Sequence, residues 1–184
     1  MDMNRMTIKL QEALQSASAL AMRRGHQGID VEHLLLALME QEGGIAGSLF
    51  EQAGVSPAAV RQAAEQALTK VAQVHGPGAA PGQIHLTPRL SSLLTKAEDR
   101  MKELRDEFVS VEHMILAMVE EGGIFRRLNL THERLLTALQ QVRGNQRVTS
   151  QDPEGTYQAL EKYGRDLTKL AGQGKLDPVI GRSD

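Results

Sequence analysis

An internal repeat with a spacing of about eighty residues is the feature that most constrains the fold of this chain. The segment DVEHLLLALME at residues 30–40 returns as SVEHMILAMVE at residues 110–120, with substitutions that keep the size or the polarity of each side chain. A Gly-Gly-Ile sequence follows each segment, at residues 43–45 and 122–124. Three earlier positions also match: Thr7 with Thr87, Leu10 with Leu90, and Leu14 with Leu94. Each copy is therefore a whole multi-helix unit rather than one repeated helix.

The apolar residues within a copy recur at helical spacing, which gives one apolar stripe along an amphipathic helix. The stripe of the first helix consists of Leu10, Ala13, Leu14, Ala17, Leu20 and Ala21. Asp30, Ser110, Ser56 and Thr131 are polar residues placed to cap later helices. Apolar and polar residues do not alternate over a useful length in residues 1–143, so no sheet is expected. The sequence predicts an all-α fold of two pseudo-symmetric four-helix repeats packed into one domain.

The domain organisation follows from the repeat and from the Gly, Pro and polar content between its parts. The repeats cover about residues 7–72 and 87–143 of a domain predicted at residues 1–143, and a Gly- and Pro-rich loop at residues 75–82 joins them. Residues 144–184 are polar and interrupted by glycine, with little to bury. They are predicted to form a flexible or helical linker that does not join the core.

Composition excludes several classes of function. The 184 residues are 41% hydrophobic and 24% charged, with a formal charge of -2 and basic residues interspersed with acidic ones. Neither a basic patch nor enough aromatic residues for base stacking is present, so no nucleic-acid partner is expected. There is no Cys, which excludes disulfides and thiol chemistry. No apolar run is long enough for a membrane span, so we expect a cytoplasmic protein with no membrane partner.

No motif for catalysis or nucleotide binding is present. A P-loop needs the pattern G-x-x-x-x-G-K-[ST], and the pair Gly174-Lys175 lacks both the earlier glycine and the hydroxyl residue after lysine. None of the six histidines forms an H-E-x-x-H pair for zinc. His33 and His113 lie at matching positions of the repeat, which indicates packing or hydrogen bonding beside a helix cap. The chain is therefore expected not to be an enzyme and to hold no cofactor or metal.

The repeated unit, with Thr7 before its first helix and V-E-H-x-x-L-A followed by G-G-I in each half, resembles the amino-terminal domain of the Clp ATPases. The segment ALEKYGRDLT at residues 159–168 and the segment GKLDPVIGR at residues 174–182 sharpen the resemblance. Together they are similar to the junction leading into the first nucleotide-binding domain of ClpB-type protein disaggregases. The resemblance covers essentially the whole chain, and the first of these segments favours ClpB over ClpC and ClpA.

The resemblance implies a role in binding protein clients. In ClpB relatives, the positions matching Thr7, Asp106 and Glu112 are associated with substrate handling. Thr7 and Glu112 also suit helix capping and a favourable first-turn charge, and Asp106 suits a loop-side charge. In ClpC-like relatives, the glutamates matching Glu32 and Glu112 instead recognise phosphorylated arginine, which makes a degradation-tag receptor the alternative. A third possibility is a structural cap that modulates hexamer assembly.

The expected clients are unfolded or aggregated polypeptides. Five methionines are predicted to lie on amphipathic helices, where they either fill the core or line a tolerant groove: Met22, Met39, Met101, Met114 and Met118. A groove for apolar segments is expected at the seam between the two repeats. The resemblance further implies that a longer parent protein forms a homohexamer, binds ATP and magnesium, and cooperates with a Hsp70-type chaperone system.

Overall fold

The structure is a computed structural model that describes residues 2–73, 84–144 and 146–153. Seven α-helices occupy these residues, and the predicted all-α class is confirmed. The first copy contains α1 (Ile8–Arg23), α2 (Val31–Glu40), α3 (Ala46–Gln52) and α4 (Pro57–Leu68). The second copy contains α5 (Pro88–Glu103), α6 (Val111–Glu121) and α7 (His132–Arg143).

The prediction of four α-helices in each copy is wrong for the second copy. Where the first copy has α3, the second has a 3-10 turn at Gly123–Arg126. Ten positions separate Ile45 from Val55 in the first copy, but only six separate Ile124 from Leu130 in the second. The missing four residues amount to about one helical turn, so only a single turn fits between the flanking helices.

Side-chain caps begin the helices as the sequence predicts. Thr7, Ser56, Thr87 and Thr131 each accept a hydrogen bond from the backbone N–H three residues later, at 3.1 to 3.4 Å. Asp30 accepts from the N–H of the next residue at 2.8 Å. These contacts satisfy donors that have no partner inside the helix, and they fix where each helix starts.

The expectation that the fold contains no sheet is wrong in a small but informative way. β1 (Gly28–Ile29) pairs in parallel with β2 (His85–Leu86), and Met6 forms an isolated parallel bridge with Val109. These pairs are related by the repeat, because each joins the residue before the first helix of one copy to the loop before the second helix of the other. Strands of two residues are too short to leave an alternating pattern in the sequence.

The residues that cap the first helix of each copy also make a backbone hydrogen bond to the other copy. The N–H of Thr7 donates to the carbonyl of Val109 at 2.9 Å, and the N–H of Thr87 donates to the carbonyl of Ile29 at 3.1 Å. A Cβ added at Gly28 would lie 2.9 Å from the Thr87 methyl carbon, so the strands approach this closely only because residue 28 is glycine. Each copy therefore contributes backbone partners to the other.

The seam between the copies has an aromatic centre and an open edge. Phe50 of α3 and Phe125 of the 3-10 turn are buried and stacked, with ring centroids 5.7 Å apart. At the edge, α4 and the 3-10 turn border a groove of about 320 Å³. Its lining combines apolar Ala59, Ala63, Ile124 and Leu128 with polar Gln62, Gln66 and Arg127. A groove with apolar and polar lining thus lies at the predicted seam.

The prediction that residues 144–184 do not join the core is wrong for the described part of that segment. Val148 is fully buried and Pro153 is buried, and residues 146–153 make backbone hydrogen bonds to the folded domain. The polar composition of this segment hides these contacts, because two apolar side chains and the backbone make most of them. The loop predicted at residues 75–82 and the junction at residues 159–182 lie outside the described residues.

Candidate functional site

A buried cluster of charged residues lies at the start of α6 in the second copy. The side chains of Asp106, Glu112 and His113 have no exposed surface, and that of Arg143 at the end of α7 is 8% exposed. The guanidinium of Arg143 donates to both carboxylates, at 2.6 and 3.0 Å to Asp106 and at 2.9 Å to Glu112. One arginine therefore pairs with two buried carboxylates, as buried charges require a partner.

Local backbone geometry orients the histidine of this cluster. The N–H of Ser110 donates to Nδ1 of His113 at 2.8 Å, so Nδ1 is the acceptor nitrogen and Nε2 carries the proton. Nε2 in turn donates to Asp106 at 2.7 Å. The hydroxyl of Ser110 donates to Glu112 at 2.8 Å. The Ser-x-Glu-His sequence thus places both α6 side chains by contacts within the first turn.

The electrostatic state of the cluster follows from these contacts. Burial alone would raise the pKa of Asp106, but hydrogen bonds from His113, Arg143 and the N–H of Val148 outweigh burial and hold that pKa at about 2. Burial would lower the pKa of Arg143, but the two carboxylates raise it. Asp106 is therefore an anion and Arg143 a cation at neutral pH.

The equivalent place in the first copy holds two neutral histidines. His26 stands where the second copy has Asp106, and its Nδ1 lies 2.8 Å from Nε2 of His33. The N–H of Asp30 donates to Nδ1 of His33 at 2.9 Å, so Nε2 of His33 donates to His26. Burial and the neighbouring His26 lower the pKa of His33 to about 4. Burial also lowers the pKa of His26.

Glu32 lies in the first turn of α2, at the position equivalent to Glu112, and has a different partner. Nη1 of Arg89 donates to its carboxylate at 2.9 and 3.0 Å, while Nε and Nη2 of Arg89 bind Glu121 at 2.9 and 2.6 Å. The Arg89 side chain is 35% exposed, so this ion pair is reached by solvent. Both glutamates of the repeat are therefore paired with arginines of this chain.

The residues predicted for substrate handling, Thr7, Asp106 and Glu112, are buried. Asp106 and Glu112 are also linked by hydrogen bonds to the segment that follows α7. Thr7 has no exposed surface and caps α1. Asp106 accepts the N–H of Val148 at 2.8 Å, and Glu112 reaches the same segment through Arg143, whose Nε donates to the carbonyl of Gln146 at 2.7 Å. In this structure, none of the three offers its side chain to solvent.

Sequence reasoning missed the partners that bury these residues. Arg89 and Arg143 are two among many basic residues, and nothing local indicates that they reach acids 57 and 31 to 37 positions away. The weak signal for His26 is its distance of seven residues from His33, which equals the distance of Asp106 from His113. Of the five methionines predicted to lie on helices, Met101, Met114 and Met118 are buried in the core. Met39 is partly buried against the core, and Met22 is 45% exposed.

The part of the chain that the structure describes contains neither a membrane-spanning helix nor a metal-binding group. No helix there is long and apolar enough to cross a membrane. No group of three or more His, Asp or Glu side chains in the same residues is arranged to hold a metal ion.

The duplicated helical fold and its paired first-turn glutamates define a Clp-type amino-terminal domain. The Clp repeat (R) N-terminal domain family matches residues 5–130, and the chain belongs to this family. The chain is 49% identical over 186 residues to the chaperone protein ClpB of Bacillus cereus, and 50% identical over 188 residues to that of Nitratidesulfovibrio vulgaris. Each match covers 99% of this chain and 22% of the relative, so the chain spans about a fifth of their length.

Solved structures of related domains share the fold. The N-terminal domain of Hsp104 from Candida albicans superposes with a TM-score of 0.67 at 20% identity, covering 81% of this chain and 98% of that one. The N-domain of ClpV from Vibrio cholerae gives a TM-score of 0.62 at 19% identity over 75% and 84% of the two chains. A complex of the ClpV N-domain with a VipB peptide gives 0.61 at 19% identity, over 74% and 86%. At these identities the likeness shows the fold alone.

Proposed function

We propose that this chain binds unfolded or aggregated polypeptides as the amino-terminal module of a ClpB-type, ATP-dependent disaggregase. Identity of about one half to ClpB chaperones over nearly the whole chain supports the parent class. The complex of a ClpV N-domain with a peptide supports peptide binding by this fold. The ATPase activity, with its ATP and magnesium, would belong to other domains of a longer protein, and so would hexamer formation and cooperation with a Hsp70-type system.

The pairing of both repeat glutamates favours protein clients over a phosphoarginine tag. A tag receptor needs carboxylates that are available to an incoming guanidinium. Glu32 is bound by Arg89 at 2.9 Å and Glu112 by Arg143 at 2.9 Å, so each carboxylate already holds a guanidinium of the same chain. An incoming tag must displace these internal partners, and the one at Glu112 is buried.

Apolar surface is available for the proposed clients. Three large apolar side chains in the described part of the chain are 43 to 45% exposed, and all lie on α1 or on the turn before it: Met3, Ile8 and Met22. The seam groove adds a second surface with apolar lining. Binding through such surfaces is expected to survive raised salt and to carry a negative heat-capacity change.

Calorimetric titration of the full chain tests this function. The probe is reduced and carboxymethylated α-lactalbumin, which stays unfolded, and native α-lactalbumin is the folded control. We expect weak binding of the unfolded form only, with a negative heat-capacity change and little loss of affinity between low and high salt. Equal binding of both forms would contradict client selection, and binding of neither would favour the structural cap.

A further inference from the structure

Residues 146–153 lie in a groove between the loop before α6 and the start of α1. Backbone contacts hold the segment on both sides. The N–H of Val148 donates to Asp106 at 2.8 Å, its carbonyl accepts the N–H of Glu107 at 2.7 Å, and the carbonyl of Gln151 accepts the N–H of Ile8 at 2.7 Å. The carbonyl of Gln146 also accepts from Nε of Arg143 at 2.7 Å. The segment is therefore docked by its main chain on both walls of the groove.

The side chains that the segment buries are apolar, and Gln151 adds one side-chain hydrogen bond, from its Nε2 to the carbonyl of Asn4 at 3.1 Å. Val148 is fully buried and Pro153 is buried, whereas Arg147, Thr149 and Ser150 are exposed. The groove thus contacts the backbone and one apolar side chain at its centre, and leaves the neighbouring side chains in solvent. Recognition of this kind tolerates many sequences, provided that the ligand is extended and has free backbone groups.

We propose that this groove is a docking site for extended polypeptide segments with an apolar side chain, and that residues 146–153 are its built-in occupant. The inference rests on the proposed function, because it states where and how an unfolded client is bound. An unfolded chain offers unpaired backbone groups and apolar side chains together, and a folded protein rarely does. Client binding then requires displacement of the chain's own segment.

The buried charged residues hold one hydrogen-bond acceptor of the groove, the carboxylate of Asp106, in a fixed orientation. Asp106 is fixed by Arg143 and His113, so its carboxylate is already oriented toward the N–H that it accepts from residue 148. A free peptide therefore meets an ordered acceptor without further reorganisation. A proline at the position equivalent to Val148 has no N–H to donate and should not bind.

Displacement of the segment is the test, made in the full chain by Val148→Asp. The new carboxylate would stand in an apolar site beside Asp106, so the segment is released while Asp106 keeps its other partners. Thr149→Asp is the matched control, because it adds the same charge at an exposed neighbour. The probes are a fluorescent peptide with the sequence of residues 146–153 and unfolded carboxymethylated α-lactalbumin, measured by fluorescence anisotropy.

We expect Val148→Asp to bind both probes about tenfold more tightly than the natural chain and Thr149→Asp, because the competing occupant has left. The same peptide with proline in place of valine should not bind. Amide signals of Ile8 and Glu107 should shift when the peptide is added. Val148→Ala, which removes two methyl groups without adding charge, should give a smaller gain in the same direction and serves if Val148→Asp fails to fold.

The outcomes separate this inference from the proposed function. If all variants bind the unfolded protein equally and the peptide does not bind, the groove is not the client site, although clients are still bound elsewhere on the domain. If Val148→Asp and Val148→Ala bind less tightly than the natural chain, the segment contributes to the site rather than blocking it, and the inference is wrong. If the unfolded protein binds to no variant, the proposed function itself fails.

Discussion

His26 and Asp106 occupy equivalent positions in the two copies, and each accepts a hydrogen bond from Nε2 of the histidine at the start of the following helix. The distances are 2.8 Å from His26 to His33 and 2.7 Å from Asp106 to His113. The same geometry is therefore built with a neutral acceptor in the first copy and with an anion in the second. The anionic version also binds Arg143, so it connects α6, α7 and the segment after α7.

The histidine pair of the first copy should make stability depend on pH. The pKa of His33 is about 4 in the folded chain and about 6.5 when unfolded, so the unfolded state binds the extra proton first as pH falls. Stability present above pH 6.5 is therefore lost between about pH 6.5 and 4, by an amount on the order of 2 to 3 kcal/mol. Urea unfolding at a series of pH values measures this loss.

His26→Asp copies the acceptor of the second copy into the first and is the matched variant. The carboxylate should raise the pKa of His33, so the decline between pH 6.5 and 4 should become shallower. His132→Gln, at a partly exposed histidine with a 37% exposed side chain, should leave the decline unchanged. An unchanged pH profile in His26→Asp would show that another group causes the decline.

The two arginines that bind the repeat glutamates should differ in their contribution to folding. Arg143→Met leaves Asp106 and Glu112 buried without a cation, which should lower the free energy of unfolding by about 3 to 5 kcal/mol. Arg89→Met removes a pair that solvent reaches, and the cost should be about 1 kcal/mol. Urea denaturation of both variants measures the difference, and equal costs would contradict the burial of the second-copy cluster.

Thr7 should act through the stability of α1 rather than through direct contact with clients. Thr7→Ala removes the cap that accepts the N–H of Leu10, at a cost of about 1 kcal/mol in the free energy of unfolding. Ser56→Ala removes a comparable cap from α4 and is the control. Both should keep the affinity for unfolded protein under conditions where the variants stay folded. A large loss of affinity in Thr7→Ala alone, without a loss of stability, would assign Thr7 to the binding surface.

Features with a local cause could be predicted from the sequence. The caps at Thr7, Ser56 and Thr131 were predictable because a hydroxyl residue before an apolar stripe satisfies donors three residues away. The structural role of His33 and His113 was predictable from their matching positions beside a cap. The helix count of the second copy differs from the prediction because four fewer residues lie between Ile124 and Leu130 than between their equivalents in the first copy, which leaves room for one 3-10 turn only.

Features that depend on distant partners could not be predicted. Glu112 has the sequence position of an exposed first-turn charge, but it is fully buried and paired with Arg143. Asp106 likewise has the position of a loop-side charge, and its burial depends on contacts 37 and 42 residues away. Such contacts are set by tertiary packing, which one sequence does not display.

Competition between free phosphoarginine and an unfolded client tests the central claim most directly. Labelled carboxymethylated α-lactalbumin is bound to the full chain, and phosphoarginine is added while anisotropy is followed at low and at high salt. Because Glu32 and Glu112 are already paired with Arg89 and Arg143, we predict that phosphoarginine does not release the client. Because the client is bound through apolar contact, raised salt should have little effect on its affinity. Full release by phosphoarginine, with client binding lost at moderate salt and abolished by Glu32→Ala and Glu112→Ala, would contradict the claim and identify a tag receptor.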